Sequence, residues 1–236
     1  MTLQTLEIHP KSYARIAGIL YLVIAVFGAF SIGYVPSVII VADNPGATAS
    51  NLMANIGLFR AGILGDIVVL MVEIILTAML YVIFAPISKT LSLIAAWSRI
   101  AMVMVMGVNL LLNIMPMFLV SADFLSAFDT AALHAVGYAF FAAHSLGIYI
   151  WQLFFSLHLL ALGYMIIKSD LFPRVFGWVL LIGAFGYLLQ GVAGVINVEN
   201  ATLSTVIIGL LIIVTIGELS FAFYLLVKGT KSKPVT

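Results

Sequence analysis

The stretch FRAGILGDIVVLMVEIILTAMLYVIF, Phe59–Phe84, decides the fold. Roughly 20 apolar residues in a helix cross a hydrocarbon core of about 30 Å, and beyond the opening Arg60 the only ionisable groups here are Asp66 and Glu73. An ionisable side chain at mid-bilayer costs roughly 2.5–3.5 kcal/mol on insertion scales, so each needs a partner or a task. Asp66 and Glu73 are two helical turns apart, about 10 Å along the axis, and share a face. Gly62 and Thr77 extend that face into a small-polar stripe directed at the interior of a bundle. The stretch reads as a transmembrane helix stopped by Ala85-Pro86.

Five further stretches qualify, at about 14–40, 93–120, 146–167, 175–195 and 203–227. Gly33 and Pro36 bend the far end of the first, and Pro116 lies near the end of the third. Residues 131–145, AALHAVGYAFFAAHS, are apolar as well. One straight helix from Ala131 to Ile167 would exceed about 50 Å, more than a bilayer accommodates. That piece is therefore read as an interfacial or tilted extra helix, broken from the fourth span near Gly147. The fold class is an all-α polytopic membrane helix bundle of six transmembrane helices, one integral-membrane domain over residues 1–236.

Composition agrees. The chain is 64% hydrophobic and 8% charged, with a mean hydropathy of +1.25, where soluble domains are about half apolar and a quarter charged. This excludes a soluble enzyme, a disordered chain and a nucleic-acid binder. A net charge of +1 supplies no field for an anionic partner. Cysteine is absent, which removes disulfides, thiolate catalysis and Cys-ligated metals. The apolar part of the first span runs past the 7–15 residues of a signal peptide, so it is read as retained. The longest polar connection, Ala42–Leu58, carries the turn residues Asn44-Pro45-Gly46.

If six spans alternate, Lys11, Arg15, Lys89, Arg99, Lys168, Arg174, Lys228, Lys231 and Lys233 fall on one side. Arg60 falls on the other, with Asp43, Asp123, Asp129 and Glu199. Lys and Arg are retained on the cytoplasmic side, which places both termini there.

Depth sorts the embedded polar groups. Glu73, Glu218 and His158 each lie about ten residues from the cytoplasmic end of their helix, and Arg99 lies near enough either to snorkel outward or to reach a carboxylate. These four form a candidate buried cluster close to charge balance. Asp66, Asn109, Asn113, Gln152 and Gln190 sit in the outer half, with Arg60 and His144 nearer the outer surface, and form a candidate polar path. Asn109 and Asn113 are one turn apart and face the same way. The ordinary reading of all these groups is helix–helix glue; the functional one is a proton or cation route.

His144 and His158 share nearly one face about 21 Å apart, similar to the paired haem ligands of cytochrome b, but too few histidines remain for a second helix to complete two haems. No short zinc motif occurs, and Met102 with Met106 is more simply packing than a Cu(I) site. Neither a cofactor nor a metal is expected. Gly183, Gly186, Gly191 and Gly194 occupy about a third of one helix circumference, a close-contact face for another helix. It serves internal packing or a homo-oligomer. Trp97, Trp151 and Trp178 read as interfacial anchors.

Several segments together resemble DUF4386, a bacterial family of multi-spanning membrane proteins: ARIAGILYLV (Ala14–Val23), LFRAGILGDIV (Leu58–Val68), LYVIFAPISKTLSLIAAWSRI (Leu80–Ile100), the run from His144 to Leu189, and GELSFAFYLLVKG (Gly217–Gly229). Ala42–Asn55 and Asp123–Gly137 match less well. The resemblance implies a six-to-seven-span protein of the bacterial cytoplasmic (inner) membrane and transfers no activity. The partners expected are the lipid bilayer and a small molecule or ion of unknown identity, with no nucleic acid. Three functions compete: a proton- or cation-linked transporter using buried carboxylates, a non-catalytic sensor or accessory protein, and an intramembrane enzyme acting on a lipid or isoprenoid. The last lacks a nucleophile or metal motif.

Overall fold

Polar caps set where three of the helices begin. Asn44, Asp129 and Asn200 each accept a hydrogen bond, at 2.8–2.9 Å, from the backbone N–H three residues on. Each cap satisfies a donor that the first turn of a helix leaves free. The computed structural model describes residues 10–121, 125 and 127–231; Asp123 and Lys233 lie outside them. In chain order the first span is α1 (Pro10–Gly28), a π-helical segment (Ala29–Tyr34) and α2 (Val35–Ile39). Then come α3 (Pro45–Ala54), α4 (Ile56–Phe84), α5 (Lys89–Ser121), α6 (Thr130–Lys168), α7 (Arg174–Val195) and α8 (Ala201–Lys228). Among the described residues there is no strand.

Six helical stretches are long and apolar enough to cross a membrane: Lys11–Ile39, Ile56–Phe84, Lys89–Ser121, Thr130–Lys168, Arg174–Val195 and Ala201–Lys228. The protein is an all-α polytopic membrane helix bundle. Along α4, Leu64, Met71 and Ile75 point outward while Asp66, Glu73 and Thr77 are buried, a distribution that an apolar surrounding favours and water does not. The spans pack in chain order, the first on α4, α4 on α5, α5 on α6, α6 on α7 and α7 on α8. Helix α8 returns to α1 and closes a ring. The first and last helices bring the two ends of the described residues to one face: Gly229 lies against Lys11, and the Lys231 N–H donates to the Leu171 carbonyl at 2.9 Å. This is the terminal face; the connection holding α3 marks the far face.

The first span does not simply bend at its far end. Pro36 lacks an N–H and presses on the preceding turn, and the helix widens into π geometry over Ala29–Tyr34, the turn that contains Gly33. The connection after it is not only a turn. Asn44 caps it, Pro45 fits the first helical position, and Thr48 ties α3 back to Val41 through hydrogen bonds of 3.0 and 3.2 Å.

The expected break near Gly147 does not occur. Residues 131–145 and the fourth span form one continuous helix, α6. At 39 residues it is about 58 Å long and outreaches the hydrocarbon core. Its excess is held by partners rather than left alone: Phe141 meets Phe59 edge-on at 5.9 Å, and the Tyr138 hydroxyl accepts from the Asp43 N–H at 2.9 Å. Gly147 serves another purpose, since the side chain of Asn109 fills the place a Cβ would take. The long α6 also moves Trp151 away from an interface. Trp97 and Trp178 are exposed, but Trp151 is half-buried and packs on Phe155 and Tyr187.

Candidate functional site

Each of the six spans places one polar side chain at the centre of the ring: Tyr21 from α1, Glu73 from α4, Arg99 from α5, His158 from α6, Tyr187 from α7 and Glu218 from α8. Arg99 organises them. Its side chain is 1% exposed, so it reaches inward and does not belong to the charged rim. Its Nε donates to Glu73 Oε2 at 2.5 Å, and its Nη1 donates to the Tyr21 hydroxyl at 3.3 Å and to His158 Nε2 at 2.9 Å. The guanidinium also lies over the rings of Tyr21 and Phe155, at 5.1 and 5.5 Å. A planar fork of donors can hold several partners at once where a point charge cannot.

These contacts fix the state of His158. A guanidinium has only donors, so Nε2 accepts; a carbonyl only accepts, so Nδ1–H donates to Ala95 at 2.9 Å. The ring is the neutral tautomer protonated on Nδ1, with both nitrogens engaged and no lone pair left for a haem iron. Among the described residues no group of three or more His, Asp or Glu side chains gathers to hold a metal.

Glu218 belongs to the centre but not to the guanidinium. It accepts a long contact of 3.4 Å from the Tyr187 hydroxyl and is half-buried. Phe155 connects it to the rest, stacking on His158 at 5.7 Å and meeting Tyr187 edge-on at 5.1 Å. The centre therefore holds two carboxyls and one cation, and among the described residues the second carboxyl forms no ion pair.

The outer-half residues separate into three groups. Asp66, Asn109, Asn113 and His144 surround two adjoining spaces toward the far face. The smaller, about 20 Å³, is lined by Asp66, Asn109, His144 and Trp151. The larger, about 150 Å³, is lined by Ser31, Asn113 and His144 within apolar walls from Val35, Ile39 and Phe59. Asn109 Nδ2 donates to the His144 carbonyl at 2.9 Å, and His144 Nδ1–H donates back to the Asn109 carbonyl at 3.1 Å. Gln152 and Gln190 instead pair with each other at 2.8 Å and join α6 to α7. Arg60 is exposed and stands apart.

Sequence reading missed Tyr21, Tyr187, Phe155 and Ser31. Tyr21 and Tyr187 carried a usable signal, because a phenol deep in a span needs a partner for its hydroxyl. The glycines of α7 prove to be taken up within the chain. A Cβ on Gly183 would meet Val214, one on Gly186 would meet Leu210, and those on Gly191 and Gly194 would meet Leu153 and Tyr149. That face seats α8 and α6 within the chain.

The family model described as "Domain of unknown function (DUF4386)" matches residues 16–229. A relative from Archaeoglobus fulgidus, itself described as an uncharacterised protein, is 24% identical over 175 residues, covering 73% of this chain and 86% of the relative. No solved structure matches.

Proposed function

We propose that this chain, which belongs to the DUF4386 family, is a small proton- or cation-linked membrane transporter whose exchangeable charge sits on the central carboxylates. The observation that carries the reading is the charge count at the centre of the ring. Glu73 is matched by Arg99, whereas Glu218 has a single long contact with a neutral phenol. A carboxylate in that position is costly unless it takes up a proton or a cation, so Glu218 is the group that exchanges. Water-sized voids on both sides of the centre support a route. One, of about 10 Å³, is lined by Thr77, Ser92 and His158 toward the terminal face; the Asp66 void lies toward the far face. The π-helical turn adds support, since such turns cluster at functional sites.

In this reading the terminal face lies in the cytoplasm and the chain in an inner membrane. Lys11, Arg15, Lys89, Lys168, Arg174, Lys228 and Lys231 all belong to that face. The enzyme reading has less support, because His158 has both ring nitrogens engaged and offers no free base. A purely structural role is favoured for one part of the site, the ion-paired Arg99 and Glu73, which fix the ring on which Glu218 works.

The test is proton flux. Proteoliposomes with a trapped pH-sensitive dye and an imposed potassium-diffusion potential should acidify faster than protein-free vesicles, and Glu218→Gln should return them to the protein-free rate. Equal rates for wild type, variant and empty vesicles, with and without small amines present, would overturn the transport reading.

A further inference from the structure

We infer that the two adjoining cavities between the first span, α4, α5 and α6 together form a binding site for a small, partly apolar organic ammonium ion, anchored by Asp66 on the wall of the smaller one. The larger, about 150 Å³, is of the size that accepts a benzene ring, and the smaller, about 20 Å³, shares Ile32, His144 and Ile148 with it. The pair lies toward the far face from the Arg99 centre on every helix that lines it: Ser31 follows Tyr21 in the first span, Asp66 precedes Glu73 in α4, Asn113 follows Arg99 in α5, and His144 precedes His158 in α6. Val35, Ile39, Phe59 and Phe141 of the larger cavity's walls belong, with Leu52, to one apolar cluster. The space thus has Asp66 on the side of the charged centre and apolar walls on the other.

The chemistry of its polar groups selects the ligand. Ser31 and Asn109 are each 4% exposed; Ser31 Oγ, on the wall of the larger cavity, lacks a hydrogen-bond partner, and Asn109 Oδ1 lacks one as well but is turned against Gly147. Asp66 is 9% exposed and pairs with no cation among the described residues. It neighbours Ser31 and His144. His144 commits its Nδ1–H to the Asn109 carbonyl, which leaves Nε2 for another partner. The unfilled demand is for donors: a carboxylate accepts only, and a hydroxyl accepts as readily as it donates. Buried polar groups left so are costly unless a ligand or water meets them. A primary ammonium brings three N–H donors and a positive charge, and the apolar walls suit the rest of such a molecule. A bare metal ion fits less well, because hard cations take six or more oxygen ligands and this cavity offers few.

This deepens the transport reading by naming a substrate class, and it is tested by binding rather than flux. The chain has no native cysteine, so Asn113→Cys places a single thiol on the cavity wall. In detergent or nanodiscs, benzylamine should slow its modification by a small methanethiosulfonate, and toluene at the same concentration should not. In a Trp97→Phe/Trp178→Phe background, Trp151 fluorescence should titrate with benzylamine. Asp66→Asn should weaken that titration roughly 10- to 100-fold, the loss expected for one charge-assisted bond. Should Asp66→Asn fail to fold, the protection assay on the Asp66 chain still decides. No protection by benzylamine, or equal protection by toluene, sodium or potassium, would overturn the site. Amine binding without proton flux would discard transport and keep the site; flux without amine binding would do the reverse.

Discussion

Arg99 on α5 and Glu73 on α4 form the one ion pair among the described residues, and their side chains are 1% and 5% exposed. A pair this deep is a conditional asset, because removing one member strands the other. Arg99→Met should therefore destabilise the protein by about 3–5 kcal/mol, read as denaturant unfolding in micelles. The double variant Arg99→Met/Glu73→Gln should regain most of that loss, since neither charge is then stranded. Arg99→Lys should recover little, because a point charge cannot hold Glu73, Tyr21 and His158 together. Additive losses in the double variant would show that the pair does not act as a unit.

Glu218 should behave in the opposite way. Its one partner is Tyr187, at 3.4 Å, so Glu218→Gln should change stability by less than about 1 kcal/mol. Infrared difference spectra across a pH step should contain a protonated-carboxyl band in wild type that Glu218→Gln removes and Asp66→Asn leaves. A band that survives Glu218→Gln unchanged would move the exchangeable proton elsewhere.

Gly147 tests the continuity of α6. Asn109 occupies the place of its missing Cβ and donates to the His144 carbonyl. Gly147→Ala should displace Asn109 and cost about 1–3 kcal/mol, although alanine raises intrinsic helix propensity by nearly 1 kcal/mol. Were Gly147 a helix break, the same change would stabilise instead. The sign of the shift in unfolding midpoint separates the two.

The spans were legible because apolar length is a local property that the bilayer selects for. Depth counting was nearly as good for Glu73, Arg99 and His158, since residues at equal depth in neighbouring helices can meet. It could not pair Gln152 with Gln190 rather than with Asn109, because depth says nothing about rotation around the ring. The α6 reading went astray for a related reason. Length alone argues for a break, but α3 and Phe59 give the excess a surface to lie on, and those contacts are long-range. The π-helical turn has no sequence signal beyond Pro36, whose cost can be met by a kink, a bulge or a widened turn.

The glycines lead to the last prediction. The glycine face of α7 is filled by α6 and α8, and Gly163 on α6 makes a backbone-to-backbone crossing with Gly177. A Cβ on Gly163 would stand 2.8 Å from the Gly177 carbonyl oxygen, and one on Gly177 would stand 2.5 Å from that of Gly163. Two backbones that close leave no side chain to repack, so relief requires α6 and α7 to part. Gly163→Val should then cost at least the upper end of about 1–3 kcal/mol, and Gly183→Val, set against Val214, should cost a similar amount. Gly209→Val should be nearly silent, because nothing lies within 4 Å of its Cβ position. The comparison is read as unfolding midpoint against protein concentration. An internal crossing loses stability equally at every concentration, whereas an oligomer contact through α7 would make the Gly183→Val loss grow as the wild type is concentrated.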